Sequence, residues 1–302
     1  MLDLDIGRVL GEVREAFRVV LSANLMLVLA AFAIYYSSVI VYAVRWKVVL
    51  RSMGYDAPLH VLAAGFLGAV FINNITPTSR AGGELVRAAY LSYKAEVPAV
   101  PAFNSIVYER IVESLPVIAL AIIAVLYGLY VGTWNPWLTG SVAALILLVI
   151  VFFRFWDTII EFAIKKLGLN FSLNSNTRIS KLFADKRLFL TALTLSSIVW
   201  ILDVIRLYVV AMALGWEAPI MRFTIVAVIY LVLGIFGFTP GGLGIVEGGL
   251  SATLAAMGAP LKTAIGITVV ERLISYASST AVGFVIITLT GGREAWKRLR
   301  SR

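Results

Sequence analysis

The chain has 302 residues, of which 60% are AVILMFWYC and 14% are charged, and its mean hydropathy is +0.92. A soluble domain carries about 45–50% apolar and about 25% charged residues, so the surplus apolar side chains have no water-excluding place except lipid. Soluble-enzyme, nucleic-acid-binding and disordered readings are therefore excluded, and the chain reads as a polytopic membrane protein. Its 26 Lys and Arg against 17 Asp and Glu give a formal charge of +9, which in a membrane chain records cytoplasmic loops and contact with anionic lipid. The absence of cysteine removes disulfides, thiolate metal sites and thiol catalysis. A lone His60 makes a Ser–His triad or a multi-histidine metal site implausible. No cofactor is expected. Charged residues from Asp3 to Arg18 leave no recognisable cleavable signal peptide.

A spanning helix needs about 20 mostly apolar residues. In chain order, such stretches are Val19–Val44 (span A), Ala102–Tyr130 (span C), Trp137–Phe153 (span D), Leu188–Leu214 (span A′) and Thr263–Leu289 (span C′). Two shorter ones, Leu59–Ile75 and Ile220–Phe238, each end in Thr-Pro. Each is followed by small or polar residues and then a short apolar helix, Glu84–Ala95 or Ile245–Met257. A helix, a Pro/Gly break and a second helix read as a re-entrant hairpin, because broken backbone at membrane depth survives only against protein or a water-filled cavity. The alternative is that each piece crosses fully as a short tilted helix. His60 and Trp46, Trp134, Trp137, Trp156 and Trp216 read as interfacial residues.

Lys and Arg orient the chain. Segment 154–187 holds seven and the tail 291–302 holds five, whereas the loop at 131–137 is uncharged with two Trp. The first two should be cytoplasmic and the loop external, which places the N-terminus outside.

RWKVVLRSMGYDAP from Arg45 and RLYVVAMALGWEAP from Arg206 coincide at Arg, Val-Val, Gly, Ala and Pro, an offset of 206 − 45 = 161. Thr76-Pro77 and Glu84 match Thr239-Pro240 and Glu247 at an offset of 163, and Glu109-Arg110 matches Glu271-Arg272 at 162. This is a duplicated unit. The first copy is rich in Lys and Arg while residues 207–262 retain only Arg222 and Lys262, so the second copy should be inverted. The expected fold is an all-α polytopic membrane protein, an inverted internal repeat with two re-entrant helical hairpins, the architecture of secondary transporters. Its parts are a first repeat at 1–153, a cytoplasmic linker at 154–187, a second repeat at 188–290 and a basic tail at 291–302.

Candidate chemistry concentrates in the repeated motifs. The first break supplies Asn74, Thr76, Pro77, Arg80, Gly83, Glu84 and Arg87. The second supplies Thr239, Pro240, Gly241, Gly242, Gly244 and Glu247. Free N–H groups and the macrodipole at the following helix start make a natural anion site, although glycines there equally permit close packing. Glu109, Arg110, Glu271 and Arg272 lie in long apolar helices, where a central charge costs on the order of 3 kcal/mol. They must face protein or a cavity. Arg110 and Arg272 are expected to reach toward Glu84 and Glu247 or toward a substrate phosphate, or to serve as structural ion pairs. Asp203 and Arg206 read as a local i,i+3 helix pair.

Asn-x-x-Pro…Gly-Gly-Glu-x-x-Arg, a later Glu-Arg, Thr-Pro-Gly-Gly-Leu-Gly-x-x-Glu and a second Glu-Arg resemble the lysylphosphatidylglycerol synthase transmembrane-region family, also described as flippase-like. The resemblance covers about residues 5–290, with TPGGLGIVEGGL its most specific part. It implies binding or translocation of an anionic lipid, such as an aminoacylated phospholipid or a polyprenyl-phosphate sugar, in the cell membrane. Family members usually begin with one more span, and LDIGRVLGEVREA resembles the loop that follows it. The soluble transferase domains of some relatives are not found here, so synthesis of the lipid is not expected. The first hairpin's TPTSRAGGE departs from the more usual Pro-Gly start.

Three functions compete: a lipid flippase or scramblase, a non-catalytic membrane partner of a separate glycosyltransferase or aminoacyltransferase, and an intramembrane lipid-phosphate enzyme with Glu84 or Glu247 as base. Symmetric charged motifs and a single histidine weigh against the enzyme.

Overall fold

The computed structural model describes residues 6–76, 81–130, 179–236 and 239–290. The described residues are helices joined by short turns, without strands, and form an all-α polytopic membrane protein. The helices are α1 (Ile6–Leu21), α2 (Leu25–Ser52), α3 (Leu59–Ile75), α4 (Ala81–Ala95), α5 (Ala99–Tyr130), α6 (Ile179–Ala184), α7 (Lys186–Ala213), α8 (Ile220–Phe236), α9 (Ile245–Ala256) and α10 (Leu261–Leu289). Among them α2, α5, α7 and α10 are long and apolar enough to cross a membrane. These are spans A, C, A′ and C′. Span D, loop 131–137, most of the linker, the basic tail and Trp134, Trp137 and Trp156 lie outside the described residues.

Local chemistry punctuates both halves alike. The Asn24 side chain accepts the N–H groups of Met26 and Leu27 at the start of α2, and the Asp185 side chain accepts those of Arg187 and Leu188 at the start of α7. Both satisfy orphan donors of a first turn, and 185 − 24 = 161 is the sequence offset. Span A therefore begins at Leu25 rather than Val19: Asn24 caps α2 and separates it from the amphipathic α1. Gly54 and Gly215, again 161 apart, carry φ of 88° and 74° just past α2 and α7, where a left-handed residue ends the helix.

The centre of the protein is the pair α2–α7, which runs antiparallel. Arg45 donates to Ser196, whereas nearer the start of α2 Tyr35 lies under the guanidinium of Arg206. Small residues let the helices approach each other closely. A Cβ on Gly283 of α10 would lie 2.3 Å from the Leu67 carbonyl oxygen of α3, and Ala121 of α5 packs against Val228 of α8. Helices α3 and α4 fold back on each other: the Asn73 side chain accepts the Gly83 N–H at 2.8 Å, and Gly65 lies against Tyr90. Helices α8 and α9 do the same, with Arg222 donating to the Met257 carbonyl at 2.7 Å and Gly249 against Leu233.

Two interfacial assignments are corrected. Trp46 is fully buried, its indole donating to Ser105 at 2.9 Å and its ring covered by Arg87, and Trp216 packs in the core on Phe223. Each sits near a helix end in sequence, but helix–helix packing rather than a headgroup layer covers it. His60 is exposed.

Candidate functional site

Between the two halves lies a cavity of about 240 Å³, walled by α2, α3, α4, α5, α7, α8, α9 and α10 together with Thr239, Gly241 and Gly242 before α9. Charged groups from each half converge on it.

In the first half, three arginines and three glutamates interlock. Glu109 is fully enclosed, accepting Arg45 Nε at 3.0 Å and Arg87 Nη2 at 2.6 Å. One turn further along α5, Glu113 receives Arg110 at 2.7 Å, the Tyr42 hydroxyl at 2.8 Å and Arg45 at 3.3 Å. Arg110 also reaches Glu84 of α4 at 2.6 Å. The guanidinium of Arg87 stacks 3.8 Å from the Trp46 ring centroid, a cation–π arrangement that helps hold a buried cation.

The second half repeats the pattern with fewer charges. Arg206 grips Glu271 with two hydrogen bonds, at 2.9 and 3.1 Å, and also pairs with Asp203. The fork geometry of arginine suits such a bidentate carboxylate contact. Arg272 donates to Glu247 at 2.6 Å and to the Gly241 carbonyl at 2.9 Å, with its guanidinium over Tyr276. Tyr276 belongs to a π-helical stretch, Leu273–Ser278, inside α10. Its hydroxyl donates to the Asn74 carbonyl, while Asn74 Nδ2 donates to Thr280 at 2.7 Å, so the end of α3 is tied to α10.

The expected reach of Arg110 and Arg272 toward Glu84 and Glu247 is what the structure contains. Asp203 and Arg206 form the anticipated i,i+3 pair, but Arg206 is equally the buried partner of Glu271. Of the sequence candidates, Asn74, Thr76, Glu84, Arg110, Thr239, Gly241, Gly242 and Arg272 line the cavity. Arg87, Glu109 and Glu271 are instead buried behind its wall. Gly83 packs against the Ala69 carbonyl, a close helix approach in α3–α4. Gly244 and Pro240 are exposed in the turn before α9. Pro77 and Arg80 lie outside the described residues.

The helix starts are not bare anion sites. The Gly244 N–H donates to Glu247 at 2.6 Å in a capping arrangement, and Asn73 caps Gly83. Side chains already occupy donors that an anion would use. The cations that line the cavity are arginines held by carboxylates, and Arg110 is the most open of them, its side chain 37% exposed although it belongs to a spanning helix.

Sequence reasoning overlooked Tyr35, Tyr42, Asn73, Glu113, Trp200 and Tyr230 in the cavity wall. Glu113 carried a signal, since it stands i,i+3 from Arg110 in an apolar helix. The aromatic residues carried none, because an apolar span gives no register for which face looks inward.

The fold and the cavity together define a polytopic helical membrane protein with ionisable side chains gathered at an internal cavity. The chain belongs to the family described as the lysylphosphatidylglycerol synthase TM region, whose model matches residues 10–283. It is 26% identical over 297 residues to the UPF0104 membrane protein MJ1595 of Methanocaldococcus jannaschii, covering 91% of this chain and 88% of that one. Similar are a UPF0104 membrane protein of Methanothermobacter thermautotrophicus (25% identity, 95% and 91% coverage) and PH1989 of Pyrococcus horikoshii (24%, 91% and 90%).

Proposed function

We propose that this protein binds the headgroup of an anionic membrane lipid in the central cavity and moves it between leaflets, its acyl or prenyl chains remaining in the bilayer. The lipid is an aminoacylated phospholipid or a polyprenyl-phosphate-linked sugar. The observation that carries this reading is the paired arrangement Glu84–Arg110 and Glu247–Arg272, both at 2.6 Å, with Glu84, Arg110 and Arg272 lining one cavity. A guanidinium held by a carboxylate keeps its position in the apolar interior and can exchange that partner for a phosphate oxygen.

The antiparallel α2–α7 pair supports an inverted repeat. Arg45 faces Ser196 and Tyr35 faces Arg206. The two facing pairs have the same sum of residue numbers, 241, and Tyr35 and Ser196 are themselves 161 apart. An operation that exchanges the halves therefore maps this contact register onto itself, with its centre at Ile40 and Ile201. Arg45 lies five residues to one side of that centre and Arg206 five to the other, about 15 Å apart along the pair at 1.5 Å per residue. Arg110, which shares Glu113 with the buried Arg45, and Arg206 line the cavity at these two levels, so a headgroup would meet two arginine stations at different depths of a hydrocarbon core about 30 Å thick. Re-entry of the α3–α4 and α8–α9 pairs, a cytoplasmic C-terminus, an outside N-terminus and residence in the cell membrane belong to the same reading.

The test is leaflet exchange in proteoliposomes. Fluorescent phosphatidylglycerol, its lysyl ester and a polyprenyl-phosphate sugar are each placed in one leaflet, with phosphatidylcholine as control. Faster exchange of at least one anionic-phosphate lipid than of phosphatidylcholine is expected. Exchange no faster than in protein-free vesicles for every lipid overturns the proposal and leaves the membrane-partner role.

A further inference from the structure

Trp200 of α7 lines the cavity and is 8% exposed, yet its indole N–H is without a hydrogen-bond partner. Such a donor is unusual. A buried polar group is nearly always paired, and one left unpaired calls for an explanation. The fully buried indole of the first half, Trp46, follows the rule by donating to Ser105.

Its position along α7 supplies a reason. Ser196, four residues earlier, faces Arg45, and Arg206, six residues later, grips Glu271. At 1.5 Å per residue Trp200 stands about 6 Å from the first level and about 9 Å from the second. It is one residue from the centre of the α2–α7 pair. Between the two arginine levels a headgroup has left one guanidinium and not reached the next, and its oxygens need donors there. The residue equivalent to Trp200 at the 161 offset is Val39, which is buried and has no side-chain donor. On the α2 side the cavity hydroxyls nearest the centre, Ser38 and Tyr42, already donate to the Tyr35 carbonyl and to Glu113, so the donor without a partner at the midpoint is on the α7 side. Asp203, on the same wall, pairs with Arg206.

We propose that the Trp200 indole N–H donates to an oxygen acceptor of the lipid headgroup, phosphate or ester, as the headgroup passes between the two arginine levels. This rests on the translocation reading. Trp200 is a positioning residue for transit, so its loss slows exchange more than it weakens binding. A purely structural orphan would behave otherwise: removing an unpaired buried donor leaves stability unchanged or raises it, and exchange is untouched.

Two measurements on the full chain decide it. Trp200→Phe keeps a ring and removes the N–H. In proteoliposomes it should slow exchange of fluorescent phosphatidylglycerol by about tenfold, corresponding to one lost hydrogen bond in the transit state, while its melting midpoint stays at or above that of wild type. Separately, the chain is labelled with 5-fluorotryptophan, and the Trp200 resonance is assigned by its loss in Trp200→Phe. That resonance should shift when phosphatidylglycerol replaces phosphatidylcholine in nanodiscs. An unmoved Trp200 resonance overturns the proposal whether or not the protein translocates lipid. Wild-type exchange by Trp200→Phe overturns it too. A shifted resonance in a chain that exchanges no lipid keeps the headgroup contact and removes translocation instead.

Discussion

Glu247 holds Arg272 and its own helix at once: one carboxylate oxygen accepts Arg272 Nε and the other accepts the Gly244 N–H, each at 2.6 Å. The carboxylate thus closes the first turn of α9 and fixes the guanidinium beside Gly241, where the cavity wall is backbone. Glu84 stands in the equivalent place on α4 and holds Arg110 at the same distance.

Glutamine at these positions retains hydrogen-bonding capacity and loses the charge. Glu247→Gln is expected to insert and fold, at a cost of about 1–3 kcal/mol for a weakened charged interaction, and to lose most lipid exchange, with Glu84→Gln similar. Arg272→Ala should be worse in both respects because it strands a carboxylate. The check is exchange rate against melting midpoint for each purified variant. Wild-type exchange in a folded Glu84→Gln/Glu247→Gln double variant would reject the functional role and leave these pairs as fasteners.

The buried lattice behind the cavity should behave differently from its lining. Glu109 is fully enclosed and is shared by Arg45 and Arg87. Glu109→Ala leaves two buried guanidinium groups short of a partner, and losing one member of a buried pair costs about 3–5 kcal/mol. Loss of the folded monodisperse protein, seen as a lowered midpoint or aggregation in size-exclusion chromatography, is expected before any change in lipid preference. A stable Glu109→Ala protein with altered headgroup selectivity would instead place Glu109 in the binding site.

Much of this arrangement was legible because the sequence repeats. Arg45 and Arg206, Glu109 and Glu271, and Arg110 and Arg272 recur at offsets of 161–162, and a charge in an apolar helix must find a partner. The partners of Arg110 and Arg272 followed from that. For Arg206 only the local partner Asp203 followed; Glu109 and Glu113 for Arg45 and Glu271 for Arg206 did not, because a charge near the end of an apolar run can equally face headgroups, and only three-dimensional packing places it beside α5 or α10. Trp46 misled for the same reason. The cavity's aromatic wall was invisible because spans facing lipid on one side and protein on the other are apolar all round.

Helix contact at Gly283 offers a test of packing apart from chemistry. A Cβ there would lie 2.3 Å from the Leu67 carbonyl oxygen and 2.7 Å from Phe71. The obstacle includes rigid backbone, so α3 and α10 must separate. Gly283→Ala should destabilise by about 1–3 kcal/mol, as overpacking does. Gly248→Ala is the control, since nothing lies within 4 Å of its added methyl. Equal melting midpoints for the two variants would show that α3 and α10 do not meet as described.

The loop between α2 and α3 gives a prediction for pH. Arg51, and then Lys47, donate to Asp56 and hold its carboxyl down at about 2. A carboxylate held below its unfolded value, about 3.9, contributes stability that is present above that value and is lost as pH falls through about 2. Asp56 is exposed, so solvent and salt screen the effect. Wild type and Asp56→Asn should therefore differ slightly at neutral pH and low salt, and converge both in high salt and in strong acid. Thermal melts of the two proteins across pH and salt supply the check. A difference that grew on acidification would mean that Asp56 is stabilised in its protonated form, contrary to the donors that surround it.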